Sequence, residues 1–175
     1  MQWAMKDYEF PSDASIADIG CGGGANVARF LAMSPDFKVT GIDISPVAVD
    51  KAYNVNFEAI EQGRCKIVGG NAKSLPLAKE TFDLVTAFET VYYWPDFGEC
   101  VDEIFRVLKH EGTCVIANET DGHDPEGAKW EKRILYMHIY TIDELKLFLS
   151  AAGFTDITSR HDEERHYICV TARKP

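Results

Sequence analysis

IADIGCGGGANVARF, residues 16–30, joins a short apolar run to four glycines and then to a segment with helical spacing. An apolar run of this length is typical of a buried β-strand. Glycine permits positive φ angles and has no Cβ, so the backbone of such a turn can come close to a bound molecule. The stretch predicts a strand, a ligand-binding turn and a helix, which together begin an α/β fold.

Apolar, β-branched runs of strand length recur along the chain, with helical segments between them. Strands are predicted over residues 15–19, 38–42, 65–68, 82–88, 113–117, 155–158 and 167–172. The charged stretch RHDEERH separates the last two, which predicts that they form a C-terminal antiparallel hairpin. The other strands alternate with helices, as in a doubly wound, mostly parallel seven-stranded α/β sheet. We expect one such domain over residues 1–175.

Two of the connecting helices carry sequence signals at their ends or along one face. Apolar residues at helical spacing predict a helix over residues 97–108. Thr141 and Glu144 have capping-box spacing, and Gly153 lies where a C-terminal glycine ends a helix. These three residues predict a helix over residues 142–152.

The composition excludes several classes of protein. With 46% hydrophobic and 26% charged residues, the 175-residue chain can bury one core and is not of disordered type. Its net charge of −10 disfavours a nucleic-acid partner, because phosphates bind basic side chains. No apolar run approaches the ~20 residues of a membrane span, and no targeting signal stands at the start of the sequence.

Cysteine and histidine usage predicts a cytoplasmic protein without a metal site. The five cysteines are odd in number and form no Cys-x-x-Cys pair, which argues against disulfides and zinc. His161 and His166 lie five apart in the charged stretch, with no third ligand in sight. We interpret both histidines as solvated.

The glycine turn and the acid after the second strand predict a nucleotide-type ligand. Gly20 supplies a tight turn, Gly22 permits close approach, and Gly24 allows the following helix to pack against its strand. Asp43 can accept hydrogen bonds from both hydroxyls of an adenosine ribose, each contributing about 1.5–3 kcal/mol. However, Gly20, Gly22 and Ala25 also satisfy the dinucleotide pattern G-x-G-x-x-G/A. The turn alone therefore does not distinguish a cofactor with a single adenosine from a dinucleotide.

Five motifs follow one another along most of residues 15–172. They are D-x-G-x-G-x-G at 18–24, VTGIDIS at 39–45, GNAKSLPL at 70–77, FDLVTAFETVYYW at 82–94 and RVLKHEGTCVIAN at 106–118. In order and spacing they resemble the class I S-adenosylmethionine-dependent methyltransferases. The resemblance implies transfer of a methyl group from S-adenosylmethionine to a small-molecule acceptor, with S-adenosylhomocysteine as the product.

The resemblance also implies a cofactor site. Asp18 and the glycines would surround the methionine part, Asp43 would hold the ribose, and Ile44 would lie against the adenine. Asn71 stands where the family often has an aspartate that contacts the adenine amino group, and its amide oxygen can still accept a weaker bond. The residues implied to contact the cofactor are Asp18, Gly20, Cys21, Gly22, Gly24, Asp43, Ile44, Asn71, Ala72 and Phe88.

Residues after the fourth and fifth strands predict the acceptor site. Glu89, His123 and His138 are candidate bases for an acceptor that must lose a proton, and Tyr92 or Tyr93 is a candidate orienting group. Residues 118–140 form a long stretch with aromatic side chains, which predicts an acceptor pocket or a lid. The family usually has a longer helical cover before the first strand, so we expect a cover that is short, truncated or supplied by a partner chain, as in a homodimer.

Two other functions stay open on the sequence. A nucleotide (NAD)-dependent oxidoreductase satisfies the glycine pattern, but the chain shows no site that accepts a hydride. A non-catalytic cofactor-binding module retains the fold, since no motif assigns a catalytic group.

Overall fold

A computed structural model describes residues 1–123 and 125–175, with the side chains of residues 125, 126 and 128 left out of the description. Seven strands of the described chain form one sheet. They are β1 (Ser15–Ile19), β2 (Lys38–Asp43), β3 (Cys65–Gly69), β4 (Phe82–Phe88), β5 (Leu108–Asn118), β6 (Thr155–Asp162) and β7 (Tyr167–Arg173).

The sheet has the order β3-β2-β1-β4-β5-β7-β6. Strands β1 to β5 run parallel, whereas β7 pairs antiparallel with both β5 and β6. The predicted doubly wound, mostly parallel sheet with its C-terminal hairpin is therefore confirmed. The winding reverses between β1 and β4, and in such sheets ligands bind beyond the carboxyl ends of the strands at this point.

Helices cover both faces of the sheet. They are α1 (Ala25–Met33), α2 (Pro46–Val55), α3 (Phe57–Glu61), α4 (Phe97–Val107), α5 (Pro125–Arg133) and α6 (Ile142–Ala151), with a short 3-10 helix at Val91–Tyr93. The capping box that starts α6 is confirmed, because the backbone N–H of Glu144 donates to Thr141 Oγ1 (3.3 Å) and the N–H of Thr141 donates to Glu144 Oε2 (2.8 Å). Gly153 follows α6 with a φ of 97°, as predicted for a terminating glycine.

Two apolar cores hold the layers together. One lies between the sheet and helices α4 and α6, around the fully buried Ile104, Leu145 and Leu149. The other lies under α1 and the N-terminal segment, around Phe30 and Met5. Burial of each such side chain contributes roughly 1.5–3 kcal/mol to the free energy of unfolding. The two cores therefore hold the strand ends that carry the site in place.

Two strands, β5 and β6, are several residues longer than predicted. Helix α4 ends at Val107, and β5 begins at Leu108, which pairs with Phe82 before a register shift. Strand β6 continues to Asp162, so the first three of the seven residues in the predicted charged turn, 160–162, are extended strand paired with β7. Because β6 is the edge of the sheet, its charged side chains reach solvent and do not prevent pairing.

Among the described residues, no helix has both the length and the apolar character that crossing a bilayer requires. All five cysteines are buried, and each is a free thiol.

Candidate functional site

The glycine turn is fixed to the carboxyl end of β2. The backbone N–H groups of Gly20 and Cys21 both donate to the carbonyl of Ile42, at 2.7 and 2.9 Å. Gly20, Gly22 and Gly24 all have positive φ angles, of 73°, 52° and 79°. Residues other than glycine rarely adopt this conformation, so the turn depends on glycine at these positions.

Gly22 borders open space, whereas Gly24 does not. A Cβ on Gly22 would meet no atom within 4 Å, so its backbone is open to a ligand. A Cβ on Gly24 would lie 2.5 Å from Asn56 Nδ2 and 2.9 Å from the Cα of Ala52. Gly24 thus allows close packing against α2, and the prediction that it serves the contact between α1 and its own strand is wrong.

Asp43 presents its carboxylate beside the turn. Its Oδ2 accepts the backbone N–H of Gly22 at 2.8 Å, and its Oδ1 accepts that of Ser45 at 2.9 Å. The carboxylate is half-buried and forms no salt bridge with the described residues. Because a carboxylate has about four acceptor sites, both oxygens retain capacity for a ligand.

A cavity of about 350 Å³ opens beside Asp43, and we call it the cleft. Its lining residues are Ile19, Gly20, Gly22, Ile42, Asp43, Ile44, Gly70, Ala72, Glu89, Thr90, Tyr93 and Trp94. The side chain of Ile44 is 70% exposed at its edge, an apolar surface that a flat ring could cover. Asn71 is not among the lining residues, and its Oδ1 accepts the backbone N–H of Lys73 (3.0 Å) within its own turn.

Asp18 lies buried beneath the turn. Its Oδ1 accepts the hydroxyl of Thr86 at 2.7 Å, but its Oδ2 has no partner among the described residues. Burial raises the pKa of Asp18 to about 7, against the opposing effect of the Thr86 hydrogen bond. A cation placed nearby would restore the charged form.

A second cavity, the inner cavity of about 410 Å³, adjoins the cleft at Gly20, Gly22 and Glu89. Its other lining residues are Met1, Trp3, Ala4, Cys21, Asn26, Arg29, Phe88, Ala117, Asn118, Glu119 and Tyr167. Asn118 is 2% exposed, and neither atom of its amide has a hydrogen-bond partner in the described chain. An unpaired buried amide is costly, which marks this wall as suited to a polar ligand or water.

A third cavity of about 340 Å³ lies next to Glu89, and we call it the acceptor pocket after the role predicted for residues 118–140. It is lined by Glu89, Tyr92, Tyr93, Glu119, Thr120, Gly127, Trp130, Ile134, Met137 and Ile139. Most of these residues belong to the 3-10 helix or to residues 118–140, the predicted acceptor segment. Glu89 lines all three cavities and is the residue at their junction.

The environment of Glu89 changes its acidity. Tyr92 Oη donates to Glu89 Oε2 at 2.8 Å, as predicted for an orienting group. Burial raises the pKa of Glu89, the Tyr92 hydrogen bond lowers it, and the nearby charge of Glu119 raises it, for a net increase. Burial and the same contact with Glu89 also raise the pKa of Tyr92, so the phenol stays protonated. Glu89 is thereby a stronger base than a free carboxylate.

A family model described as "Methyltransferase domain" matches residues 17–116, more than half of the chain. The chain belongs to this methyltransferase family. An O-methyltransferase from Pyrenophora dematioidea is 31% identical over 143 residues, covering 79% of this chain and 53% of the relative. A 2-methyl-6-phytyl-1,4-hydroquinone methyltransferase from Synechocystis sp. is 32% identical over 136 residues, covering 77% and 41%. The chain therefore spans about half or less of the length of these relatives.

The fold of this methyltransferase-family chain also matches solved structures. Geranyl diphosphate C-methyltransferase from Streptomyces coelicolor, crystallised with Mg²⁺, geranyl diphosphate and S-adenosyl-L-homocysteine, has a TM-score of 0.84 at 15% identity. The match covers 99% of this chain and 78% of that one. At this identity the match concerns the fold alone.

The two histidines predicted as alternative bases lie outside the three cavities of this methyltransferase-family chain. His138 contacts Glu131 (3.0 Å) and Glu144 (3.4 Å) and packs edge-on against Tyr140. The backbone N–H of His123 donates to Asp121 Oδ1 at 2.8 Å. Neither ring lines the space that Glu89 faces.

His161 and His166, interpreted as solvated, are both partly exposed and also share one hydrogen-bond partner. A nitrogen of each ring lies 3.0 Å from the same oxygen, Oδ2 of the buried Asp121. The rings are 32% and 41% exposed, so they lie at the surface with one edge on the carboxylate. The sequence did not indicate Asp121 as their common partner, because it lies 40 positions before His161, after β5.

Sequence reasoning also missed Asn118 and Glu119 as individual site residues. Asn118 is the last residue of β5 and Glu119 is the next residue, and β5 neighbours β4 in the sheet. The available signal was positional, because polar residues at the carboxyl end of a parallel strand next to the switch point face the ligand edge.

Proposed function

We propose that this chain transfers a methyl group from S-adenosylmethionine to a small-molecule acceptor, with Glu89 at the point of transfer. The single observation that carries the proposal is the position of Glu89, which lines the cleft, the inner cavity and the acceptor pocket at once. A group at this junction can touch both a cofactor and an acceptor. Family membership supports methyl transfer over the NAD-dependent alternative.

The residues of the cleft fit the adenosine part of the cofactor. Asp43 would accept the ribose hydroxyls while remaining tied to the turn through Gly22 and Ser45. Ile44 and Ala72 would cover the faces of the adenine. The open space at Gly22 leaves room for the ligand to approach the backbone. In this assignment Asn71 Oδ1 accepts the Lys73 N–H within its own turn. The amide nitrogen of Asn71 is then the atom left to contact the adenine.

The inner cavity fits the amino-acid end of the cofactor. The unpartnered Oδ2 of Asp18 lies beneath the turn and would favour a nearby ammonium group. Arg29 lines the same cavity, donates to Asn26 Oδ1 (2.9 Å), and supplies a positive charge for a carboxylate. Cys21, Gly24 and Phe88 would support the site: Cys21 and Phe88 as buried walls, and Gly24 through its packing on α2.

The chain needs few groups for the chemistry. When bound, S-adenosylmethionine supplies a methyl group on a positively charged sulfur. The cleft and acceptor pocket would align the two reactants, and alignment of this type lowers a barrier by roughly 7–11 kcal/mol. Glu89 would accept the proton of an acceptor that carries one, while the Tyr92 hydroxyl holds its carboxylate in place. Residues 118–140 would form the wall that selects the acceptor.

Glu89→Gln tests the role of the base. Removal of a general base lowers turnover by about 10²–10⁴-fold, so we expect a loss of this size with an acceptor found by a labelled-methyl screen. Glu61→Gln, on the exposed surface of α3, is the matched control and should transfer at the wild-type rate. Transfer by Glu89→Gln at the wild-type rate would remove Glu89 as the base.

The same screen separates catalysis from simple binding. A protein that binds S-adenosylhomocysteine but methylates no screened acceptor would favour the non-catalytic cofactor-binding module. A cytoplasmic location, a single domain, a homodimer and the absence of a nucleic-acid partner stay predictions from the sequence.

A further inference from the structure

We infer that the acceptor is an amine with an apolar or aromatic body, and that Glu119 is the residue that selects its charge. The inference rests on the proposed function and names the acceptor class of the same site. The observation that supports it is the composition of the acceptor pocket, in which two carboxylates lie among aromatic and aliphatic side chains.

The charge of the pocket has one sign. Glu89 and Glu119 both line it, and no Lys, Arg or His is among its described lining residues. The two acids follow neighbouring strands, β4 and β5, and the charge of Glu119 acts on the Glu89 carboxyl. A carboxylate, phosphate or sulfate on the acceptor would therefore meet repulsion. A protonated amine would meet attraction from both acids.

The walls of the pocket suit the remainder of such a molecule. Tyr93 and Trp130 are 53% and 50% exposed, so their rings are open to contact. Ile134, Met137 and Ile139 complete an apolar surface. Aromatic faces next to carboxylates attract cations as well as apolar groups, and each cation–π contact contributes about 0.5–2 kcal/mol.

Basic residues occur near the acceptor pocket but are not among its lining residues: Lys132 and Arg133 lie in the last turn of α5, and Arg29 lines a different cavity. Arg29 contributes to the inner cavity and not to the acceptor pocket, and it donates to Asn26 there. Its charge is therefore assigned to the carboxylate of the cofactor.

The proton and bond changes balance with an amine. The ammonium group of the acceptor gives one proton to the Glu89 carboxylate and becomes a neutral amine. The nitrogen lone pair then forms a bond to the methyl carbon as the carbon–sulfur bond breaks, and that electron pair stays on sulfur. Glu119 remains ionised and faces the positive charge that the methylated nitrogen now carries.

Calorimetry with three probes of similar shape tests the inference. The protein saturated with S-adenosylhomocysteine is titrated with 2-phenylethylamine, 2-phenylethanol and 3-phenylpropanoate. We expect the amine to bind about tenfold more tightly than the acid, with the alcohol between them. In Glu119→Gln the ratio of amine to acid affinity should fall by about fivefold, while Glu163→Gln, an exposed acid in the β6–β7 turn, keeps the wild-type ratio.

Equal affinity for amine and acid, tighter binding of the acid, or no binding of the amine would overturn the inference. A wild-type ratio in Glu119→Gln would remove Glu119 as the selecting residue. A labelled-methyl assay distinguishes the two levels of the account: transfer to alcohols or acids in preference to amines contradicts the inference alone. Failure to bind S-adenosylhomocysteine in the first step contradicts the proposed function.

Discussion

Asp18 and Asp43 lie on either side of the same glycine turn in opposite environments. Asp43 is half-buried, and two backbone N–H groups stabilise its charge. Asp18 is buried, with one oxygen on Thr86 and the other without a partner in the described chain. The first acid is ready to accept hydrogen bonds from a ligand, whereas a nearby cation would be needed to keep the second ionised below about pH 7.

The pH dependence of stability tests the state of Asp18. Its pKa is raised to about 7, so between about pH 4 and pH 7 the folded chain holds a proton that the unfolded chain has lost. The Asp18 contribution to stability therefore falls as pH rises through this window. Urea unfolding from pH 5 to pH 8 should show wild type losing stability relative to Asp18→Asn, by at most about 1.4 kcal/mol per pH unit. Parallel curves for the two proteins would contradict the assignment.

At the scale of elements, Asp121 joins the β6–β7 hairpin to the segment that follows β5. Its Oδ2 contacts the rings of His161 and His166, and its Oδ1 accepts the backbone N–H of His123. The segment that follows β5 carries Glu119 and leads into the wall of the acceptor pocket. The buried carboxylate of Asp121 thereby links the hairpin to the segment that carries Glu119.

Acid unfolding tests this connection. Burial raises the pKa of Asp121, but the hydrogen bonds from His166, His123 and His161 outweigh it and bring the pKa to about 2. A depressed acid stabilises the fold above its ordinary pKa near 4, and this stability is lost as pH falls toward 2. At pH 5, Asp121→Asn should be less stable than wild type by roughly 1–3 kcal/mol, and the two should converge near pH 2.

The control for this prediction is Glu163→Gln, in the turn of the same hairpin, which should follow wild type at every pH. Equal stability of wild type and Asp121→Asn at pH 5 would show that the cluster does not hold the hairpin.

For the whole molecule, local patterns predicted the sheet and the glycine turn, while contacts distant in sequence escaped prediction. Strands such as β1 and β4 are buried on both faces, so their apolar runs identify them directly. The full length of β6 was not predicted, because it depends on pairing with β7. The charged residues of this edge strand also lack the apolar pattern that identifies a buried strand.

The candidate site shows the same difference between residues of one local motif, which were predicted, and contacts between separate strands, which were not. Asp43 and Gly22 follow from motif spacing, since both belong to the local βα turns. The junction of three cavities at Glu89, the unpaired amide of Asn118 and the convergence of two histidines on Asp121 arise only when separate strands meet. Such arrangements require the register of the sheet, which periodicity does not specify.

The central claim, an adenosine cofactor held at Asp43 in the cleft, is tested most directly by calorimetric titration with S-adenosylhomocysteine. The account predicts one molecule bound per chain, no binding of NADH, and affinity at least about tenfold weaker in Asp43→Ala, because charge-assisted hydrogen bonds of roughly 1.5–3 kcal/mol each are lost. Asp102→Ala, on the exposed face of α4, should bind as wild type does. Unchanged affinity in Asp43→Ala, or no binding by the wild-type protein, would contradict the account.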